Sequence, residues 1–385
     1  MRVMRPAVCL GVVLSLAACG GELAPQEAEE LARSQAPLLK AEPGRSVPDA
    51  YLVKVKDGAD ARVVAAVAGV TPSHEYSVIN GFAATLSEGQ LTALRAHPAV
   101  EYLEEDQLLE AMATQSTAPW GLDRIDQRAL PLSGTYSYTG TASTVNVYVI
   151  DSGLQTGHIG FGGRASNVYD ALGGTGADCH GHGTYVGGIV GSSTYGVAKG
   201  ARLRGVRVLD CNGSGTTSGI IGGIDWLTAN HVKPAVATLS IGGPYSSTLN
   251  SAVTRLSNAG VFVSVAAGNS GSDACNYSPA SATAVTTVGA MGSNDCPLPS
   301  SNHGSCVDLY APGGTITSTW LGGGTNTLSG TSSAAAFVSG VGALYKAAYG
   351  DAASSTIDTW MKSNASTVTC GSTGMTYKLL YKSTL

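Results

Sequence analysis

Charged residues are few in this 385-residue chain: Asp, Glu, Lys and Arg make up 13% of it, against 43% hydrophobic residues. The formal net charge is −5, and no lysine or arginine cluster occurs. Nucleic acid is thereby excluded as a partner, because a polyanion needs a concentrated basic face. Beyond the N-terminal segment no apolar run is long enough to cross a bilayer. The eight cysteines include no C-x-x-C pair with zinc-finger spacing, which argues against a structural zinc site. Glycine, by contrast, is abundant at 51 residues. With apolar runs recurring throughout, it signals tight turns and close backbone approaches rather than disorder. Such a chain buries a substantial core, in two or three domains by length alone.

The first residues read as an export signal. Arg2 and Arg5 supply a positive start, and residues 8–17 a short apolar stretch. Leu16-Ala17-Ala18-Cys19-Gly20 resembles a bacterial lipobox, in which Cys19 would be lipidated and anchor the precursor. Ordinary cleavage after a small residue is the alternative. Export places the other six cysteines in an oxidising compartment, where an even set favours disulfides over metal ligation.

Four segments follow from the texture of the chain: an export signal over 1–19, a polar linker over 20–48, a small module over 49–112 and a large domain over 113–385. In the small module, strands are expected at 51–56, around the Asn80-Gly81 turn and at 100–103. Helices are expected at 61–68 and 88–96, the second opened by a Ser87/Gln90 capping box. This strand-helix-strand-strand-helix-strand order predicts a ferredoxin-like α+β unit, and the segment carries no obvious catalytic group. A binding or inhibitory role is its simplest reading. From Ala113 onward, near-continuous Val/Ile/Leu/Ala runs at 145–150, 202–209, 235–241, 261–266 and 284–288 alternate with helical stretches. The helices are expected at 183–190, 218–230, 249–259 and 333–349. That pattern predicts a three-layer α/β domain with a mainly parallel sheet buried on both faces, its site at the carboxyl ends of the strands.

Three short stretches carry the candidate chemistry. Asp151 ends an apolar strand, His182 stands at a glycine-rich helix start, and Ser332 precedes a long apolar helix. Each alone has an ordinary explanation: a turn acid, a surface histidine, an N-cap serine. Together they form an Asp…His…Ser order, one of the chain orders of a nucleophilic triad. A serine hydroxyl needs a base to take its proton, and an acid must orient that base. Asn269, just past another strand, is the natural side-chain donor to a developing oxyanion, with the Ser332 N–H beside it. Two other classes remain: a catalytically dead binding protein, and an esterase. Against the esterase, Ser332 lacks the Gly-x-Ser-x-Gly elbow of α/β-hydrolases.

These motifs, with PWGLDRIDQR, STYGVAKGARLRGVRVLDCNGSG, SVAAGNSG and ACNYSPA, resemble the subtilisin-like serine peptidases, in the proteinase K branch and most like aqualysin. The likeness covers the chain from Ala113, and residues 50–112 resemble the family's inhibitory propeptide. It implies a secreted endopeptidase made as an autoprocessed zymogen, with Asp151, His182 and Ser332 as triad and Asn269 as oxyanion donor. Its partners would be protein and peptide substrates and its own propeptide as intramolecular inhibitor, with the enzyme a monomer. Leu239, Ser240 and Gly242, with Ala267 and Gly268, would wall the primary specificity pocket, which favours apolar side chains. Gly213, Ser214 and Gly215 would offer an edge on which the substrate pairs as a strand. The family pattern also implies Cys179–Cys211 and Cys275–Cys306 disulfides; Cys296 and Cys370 have no counterpart in it and would pair only by remainder. Structural calcium is implied at Asp123, Asp126 and Gln127, and a second ion at Asp308. The chain departs from the family at three places: Tyr185 replaces a histidine, Ser333 a methionine and Ala336 a proline. None of these positions supplies a proton or an oxyanion contact, so activity is expected.

Overall fold

The computed structural model describes residues 35–41, 46–107 and 113–385. The export signal, Cys19, most of the linker and the segment 108–112 lie outside the described residues. The chain divides into two compact units, Met1–Leu108 and Leu109–Leu385.

In the first unit, β1 (Leu38–Leu39), β2 (Ser46–Val55), β3 (His74–Tyr76), β4 (Gly81–Thr85) and β5 (Val100–Gln107) form one sheet in the order β1-β5-β2-β4-β3. Helices α1 (Ala61–Val67) and α2 (Glu88–Ala96) cross between the strands. Without β1 this is the antiparallel ferredoxin-like order. The capping box forms: Ser87 accepts from the Gln90 N–H, and the Gln90 side chain accepts from the Ser87 N–H. Val53, Phe82, Leu94 and Leu103 fill the core. Residues assigned to the linker by composition are already in the sheet, since β1 pairs in parallel with β5 and β2 begins at Ser46. Two residues make too short a strand to leave a periodicity in the sequence.

The second unit is built on a nine-stranded sheet. Its strands are β6 (Asn146–Asp151), β7 (Ala165–Asp170), β8 (Arg202–Arg207), β9 (Ala235–Leu239), β10 (Phe262–Ala266), β11 (Thr286–Met291) and β12 (Leu309–Pro312). A hairpin, β13 (Ile316–Thr319) with β14 (Thr325–Leu328), stands apart from it, and the C-terminal β15 (Ser366–Thr369) and β16 (Thr376–Leu379) complete the sheet. The order is β15-β16-β12-β11-β10-β9-β6-β8-β7, parallel except for the β15/β16 pair. Separate apolar clusters lie on the two faces, each with contributions from the central strands. One contains the helices α3 (His182–Gly191) and α6 (Thr331–Tyr349), the other α4 (Thr217–Asn230) and α5 (Ser247–Asn258); α7 (Ser354–Asn364) follows α6. Helix α6 is buried from Ser333 through Lys346, and its small Ala, Ser and Gly residues let it lie across the middle of the sheet.

From β6 the chain first builds β7 and β8 on one side and then returns to build β9 onward on the other. The carboxyl end of β6 is therefore the switch point of a doubly wound sheet, where such folds open a crevice. Asp151 is the last residue of β6, Ser240 follows β9 and Ala267–Asn269 follow β10.

Candidate active site

Asp151 is fully buried at the end of β6. His182 opens α3 at its side, and the approach depends on glycine: a Cβ on Gly183 would lie 2.1 Å from the carbonyl oxygen of Gly153. The His182 Nδ1–H donates to both carboxylate oxygens of Asp151, at 2.8 and 2.9 Å. A carboxylate can only accept, so the proton sits on Nδ1 and Nε2 keeps a free lone pair. Burial, the largest single influence, pushes the imidazole pKa down, but the charge and hydrogen bond of Asp151 and the charge of Asp178 together hold it above its ordinary value.

Asp178 was not legible as a site residue, and it organises this corner. One of its oxygens accepts from the Ser152 hydroxyl and from the His180 and Gly181 N–H groups. The other accepts from the Thr184 N–H and hydroxyl. The Ser152 hydroxyl in turn accepts from the Gly183 N–H. One carboxylate thus ties the turn after Asp151 to the start of the His182 helix. Its signal in the sequence was an acid four residues before the histidine, readable only once the loop geometry was known.

Ser332 is the second residue of α6, with Gly330 rather than a serine at the cap position and no side-chain cap bond. The ordinary reading of Ser332 as an N-cap therefore does not hold. Its hydroxyl donates to the Ser240 carbonyl at 3.1 Å, while the Ser240 hydroxyl donates to the Ser332 carbonyl at 3.0 Å. Among the described residues no hydrogen bond joins Ser332 to His182; such bonds often tighten only with substrate. Asn269 Oδ1 accepts from the Thr331 N–H at 2.9 Å and the Thr331 hydroxyl at 3.1 Å. This fixes the amide and leaves Nδ2 without an acceptor among the described residues. Gly330 permits the closeness, since a Cβ there would stand 3.2 Å from that nitrogen.

Two openings flank these groups. One, of about 470 Å³, is lined by Gly213, Ser214, Gly215, Ser240 and Gly242 together with His180 and His182. The other, of about 170 Å³, is lined by Ser240, Gly242, Ala267, Gly268, Asn269 and Ser332. Leu239 lines neither: it is the last residue of β9, with its side chain in the core beside Ile150 and Val265. Leu209 and Ile220, not foreseen, supply apolar walls to the larger opening. His180 joins them, its Nδ1 buried and without a partner among the described residues. A lone Leu, Ile or His in a glycine-rich loop carries no periodic signal.

The disulfides are Cys179–Cys211, Cys275–Cys306 and Cys296–Cys370. The first joins the loop before His182 to the turn that leads into Gly213–Gly215, so it braces two sides of the larger opening.

Among the described residues no group of three or more His, Cys, Asp and Glu is placed to hold a metal. The two implied calcium positions differ in fit. Asp123, Asp126 and Gln127 share one turn, where the Asp126 carboxyl is held above its usual range by burial, with the Asp123 charge adding to the shift and the Ser137 N–H and Lys382 opposing it. Asp123 accepts from Ser133 and Gly134, and the Gln127 amide oxygen from the Ser133 N–H. Two crowded carboxylates beside amide and hydroxyl oxygens have the donor chemistry of a hard cation, so this turn fits calcium. Asp308 does not fit. One of its oxygens accepts from the Thr287 N–H and the other from Lys362 Nζ at 3.1 Å, so an ammonium already supplies the positive charge.

Residues 142–379 match the Subtilase family and residues 24–112 match Peptidase inhibitor I9. An extracellular serine proteinase from Thermus sp. (strain Rt41A) is 47% identical over 81% of this chain and 83% of its own. Proteinase R from Parengyodontium album is 43% identical over 88% of this chain and 89% of its own. The crystal structure of a cold adapted subtilisin-like serine proteinase superposes with a TM-score of 0.68 at 48% identity, over 69% of this chain and 99% of that one. The chain belongs to the subtilase family. It is a subtilisin-like serine proteinase that carries an I9 inhibitor domain ahead of its α/β domain.

Proposed function

We propose that this protein is a secreted endopeptidase that cleaves peptide bonds with Ser332 as nucleophile, His182 as general base and Asp151 as the group that orients the base. The observation that carries this reading is the bidentate His182–Asp151 hydrogen bond, which leaves Nε2 as the proton acceptor at the larger opening, whose Ser240 and Gly242 also line the opening that holds Ser332. In the acylation step the Ser332 oxygen attacks the scissile carbonyl as His182 Nε2 takes its proton, and His182 then returns that proton to the leaving amine. Water repeats the sequence to release the acid. The Asn269 Nδ2 hydrogens and the Ser332 N–H meet the oxyanion, a contact worth about 3–4 kcal/mol of barrier for the side-chain donor. The substrate runs as an extended strand along Gly213–Gly215 and Ser240–Gly242. Its side chain before the scissile bond enters the slot walled by Ala267 and Gly268, whose small apolar residues favour apolar groups.

The domain boundaries belong to the same reading. The small module, residues 49–112 together with β1 and the start of β2 ahead of them, acts as the intramolecular inhibitor and folding template, and cleavage before Ala113 releases the enzyme from a precursor exported by residues 1–19. If Cys19 is lipidated, the anchor stays with the propeptide. A parallel sheet of distant strands pays a large loop-closure entropy before its contacts form, which is what a template lowers. A serine-directed fluorophosphonate is expected to label Ser332 alone and to abolish casein hydrolysis in proportion. Labelling elsewhere, or casein hydrolysis surviving full labelling, would refute the assignment.

Calcium, in this reading, is structural: Asp123, Asp126 and Gln127 would hold it, and its charge would offset the crowding of the two carboxylates. Saturating calcium is expected to raise Tm over the chelator-treated enzyme by about 5–10 °C, the effect of a ligand at about 100 times its Kd. Asp126→Asn should erase that difference; an equal response to calcium in the variant would place the ion elsewhere.

A further inference from the structure

Tyr185 is three residues after His182 on α3, and Ser333 is the residue after Ser332 on α6; both are buried. The Tyr185 hydroxyl lies 2.9 Å from the Ser333 hydroxyl and 2.8 Å from the Ile316 carbonyl oxygen in β13. The direction of these bonds follows from counting protons. A phenol has one, a carbonyl has none, and burial pushes the Tyr185 pKa up to about 12, so the phenol keeps its proton at working pH. Tyr185 therefore donates to the hairpin, to the Ile316 carbonyl at 2.8 Å and more weakly to the Leu328 carbonyl in β14 at 3.4 Å, and the Ser333 hydroxyl donates to Tyr185. The result is a one-way chain from the nucleophile's helix, through the base's helix, to the hairpin. That hairpin is also fastened to α3 by Ser318, which donates to the Tyr185 carbonyl, and by Thr319, which donates to the Thr184 carbonyl, both at 2.8 Å. On its other side the Tyr185 ring stacks against His182 at 6.5 Å and meets Trp320 edge-on at 6.3 Å.

We propose that the Ser333–Tyr185–Ile316 hydrogen-bond chain is a strut that sets the separation of the two helices bearing base and nucleophile, and that Tyr185 and Ser333 are positioning residues for proton transfer from Ser332 to His182. The proposal rests on the triad reading above. Its physical basis is that Ser332 and His182 share no hydrogen bond in this structure, so their spacing is inherited from their helices. The Tyr185–Ser333 bond is a direct side-chain tie between those helices one residue from the nucleophile. A misplacement of about 1 Å costs as much as 100-fold in rate. The strut acts on the chemical step and not on substrate contacts, so its loss should appear in kcat and leave KM nearly alone.

The test measures kcat and KM on a peptide substrate and the rate of fluorophosphonate labelling for Tyr185→Phe, Ser333→Ala and the double variant, all normalised to titrated active sites. Tyr185→Phe is expected to lower kcat per site by about tenfold or more with KM within about twofold. Ser333→Ala should have a smaller effect of the same kind, because it leaves Tyr185 with its donor bond to Ile316 and orphans no buried donor. The double variant should be no slower than Tyr185→Phe alone, since Tyr185→Phe already breaks the bond that Ser333→Ala removes. Labelling should slow in parallel. Wild-type labelling rates in both single variants, losses that vanish on normalising to active sites, or additive losses in the double variant would each overturn the strut. If Tyr185→Phe does not fold, Ser333→Ala decides the matter, because it removes only one hydroxyl. Failure of the wild-type enzyme to label at Ser332 would instead bring down the triad reading, and the strut with it.

Discussion

Ser332→Ala is expected to lower kcat on a peptide substrate by about six orders of magnitude, the scale on which a subtilase loses activity with its nucleophile. The variant loses only an oxygen that bonds to the Ser240 carbonyl at a partly exposed position, so Tm should stay within a few degrees of wild type. The same substitution should leave the precursor uncut before Ala113, because in the proposed mechanism the Ser332 hydroxyl is the group that forms the acyl-enzyme. Gel electrophoresis of the expressed precursor and Edman sequencing of any product test this. A variant that still matures at the same site, in a host lacking other proteases, would show that processing is not autocatalytic. Retention of more than a thousandth of wild-type kcat would remove Ser332 from the mechanism.

Asp151→Asn is the second large effect, a fall in kcat of about 10⁴ near neutral pH. An asparagine can present an N–H to His182 Nδ1, which reverses the tautomer and puts the proton on the nitrogen that must accept one. The pH profile carries a separate signature. In the proposed mechanism catalysis needs neutral His182, whose pKa Asp151 and Asp178 hold above the ordinary imidazole value against burial. Wild-type kcat/KM should therefore rise with pH through a midpoint above that value, and Asp151→Asn should move that midpoint down as its charge is lost. The stability linkage has the opposite sign. A raised folded-state pKa stabilises the fold fully below the unfolded-state value and fades as pH rises through the folded-state one. Wild type should thus keep this contribution on the acidic side, where it loses activity, and the variant should lack it. An unshifted acid limb would mean that another group controls the profile.

How far sequence reasoning reached depended on whether the signal was local. β6, β9 and β10 are buried on both faces, so each shows as a near-continuous apolar run, and the residues just past them were readable as site candidates. The edge strand β7 is only half buried, β12 has four residues and ends in proline, and the β15/β16 pair is mostly polar; none has a period distinct from loop. Leu239 was misplaced for a related reason. The sequence shows that it ends a strand, but whether its side chain faces the cleft or the core depends on how the strand meets its neighbours.

By itself, the sequence determined the alternation of buried strands and helices and the capping of α2, and it supplied the candidates for proton exchange. Each of these depends on residues within one turn, one strand or one chemically distinctive side chain. The tertiary structure alone decided that Asp178 binds both sides of the His182 corner and that Lys362 supplies the cation at Asp308. It also decided that Cys296 reaches Cys370 and that Tyr185 meets Ser333 across 148 residues of chain. Those pairings join groups with no periodic or local relation. They exist because a doubly wound sheet returns distant segments to one crevice, where unpaired polar groups must find one another.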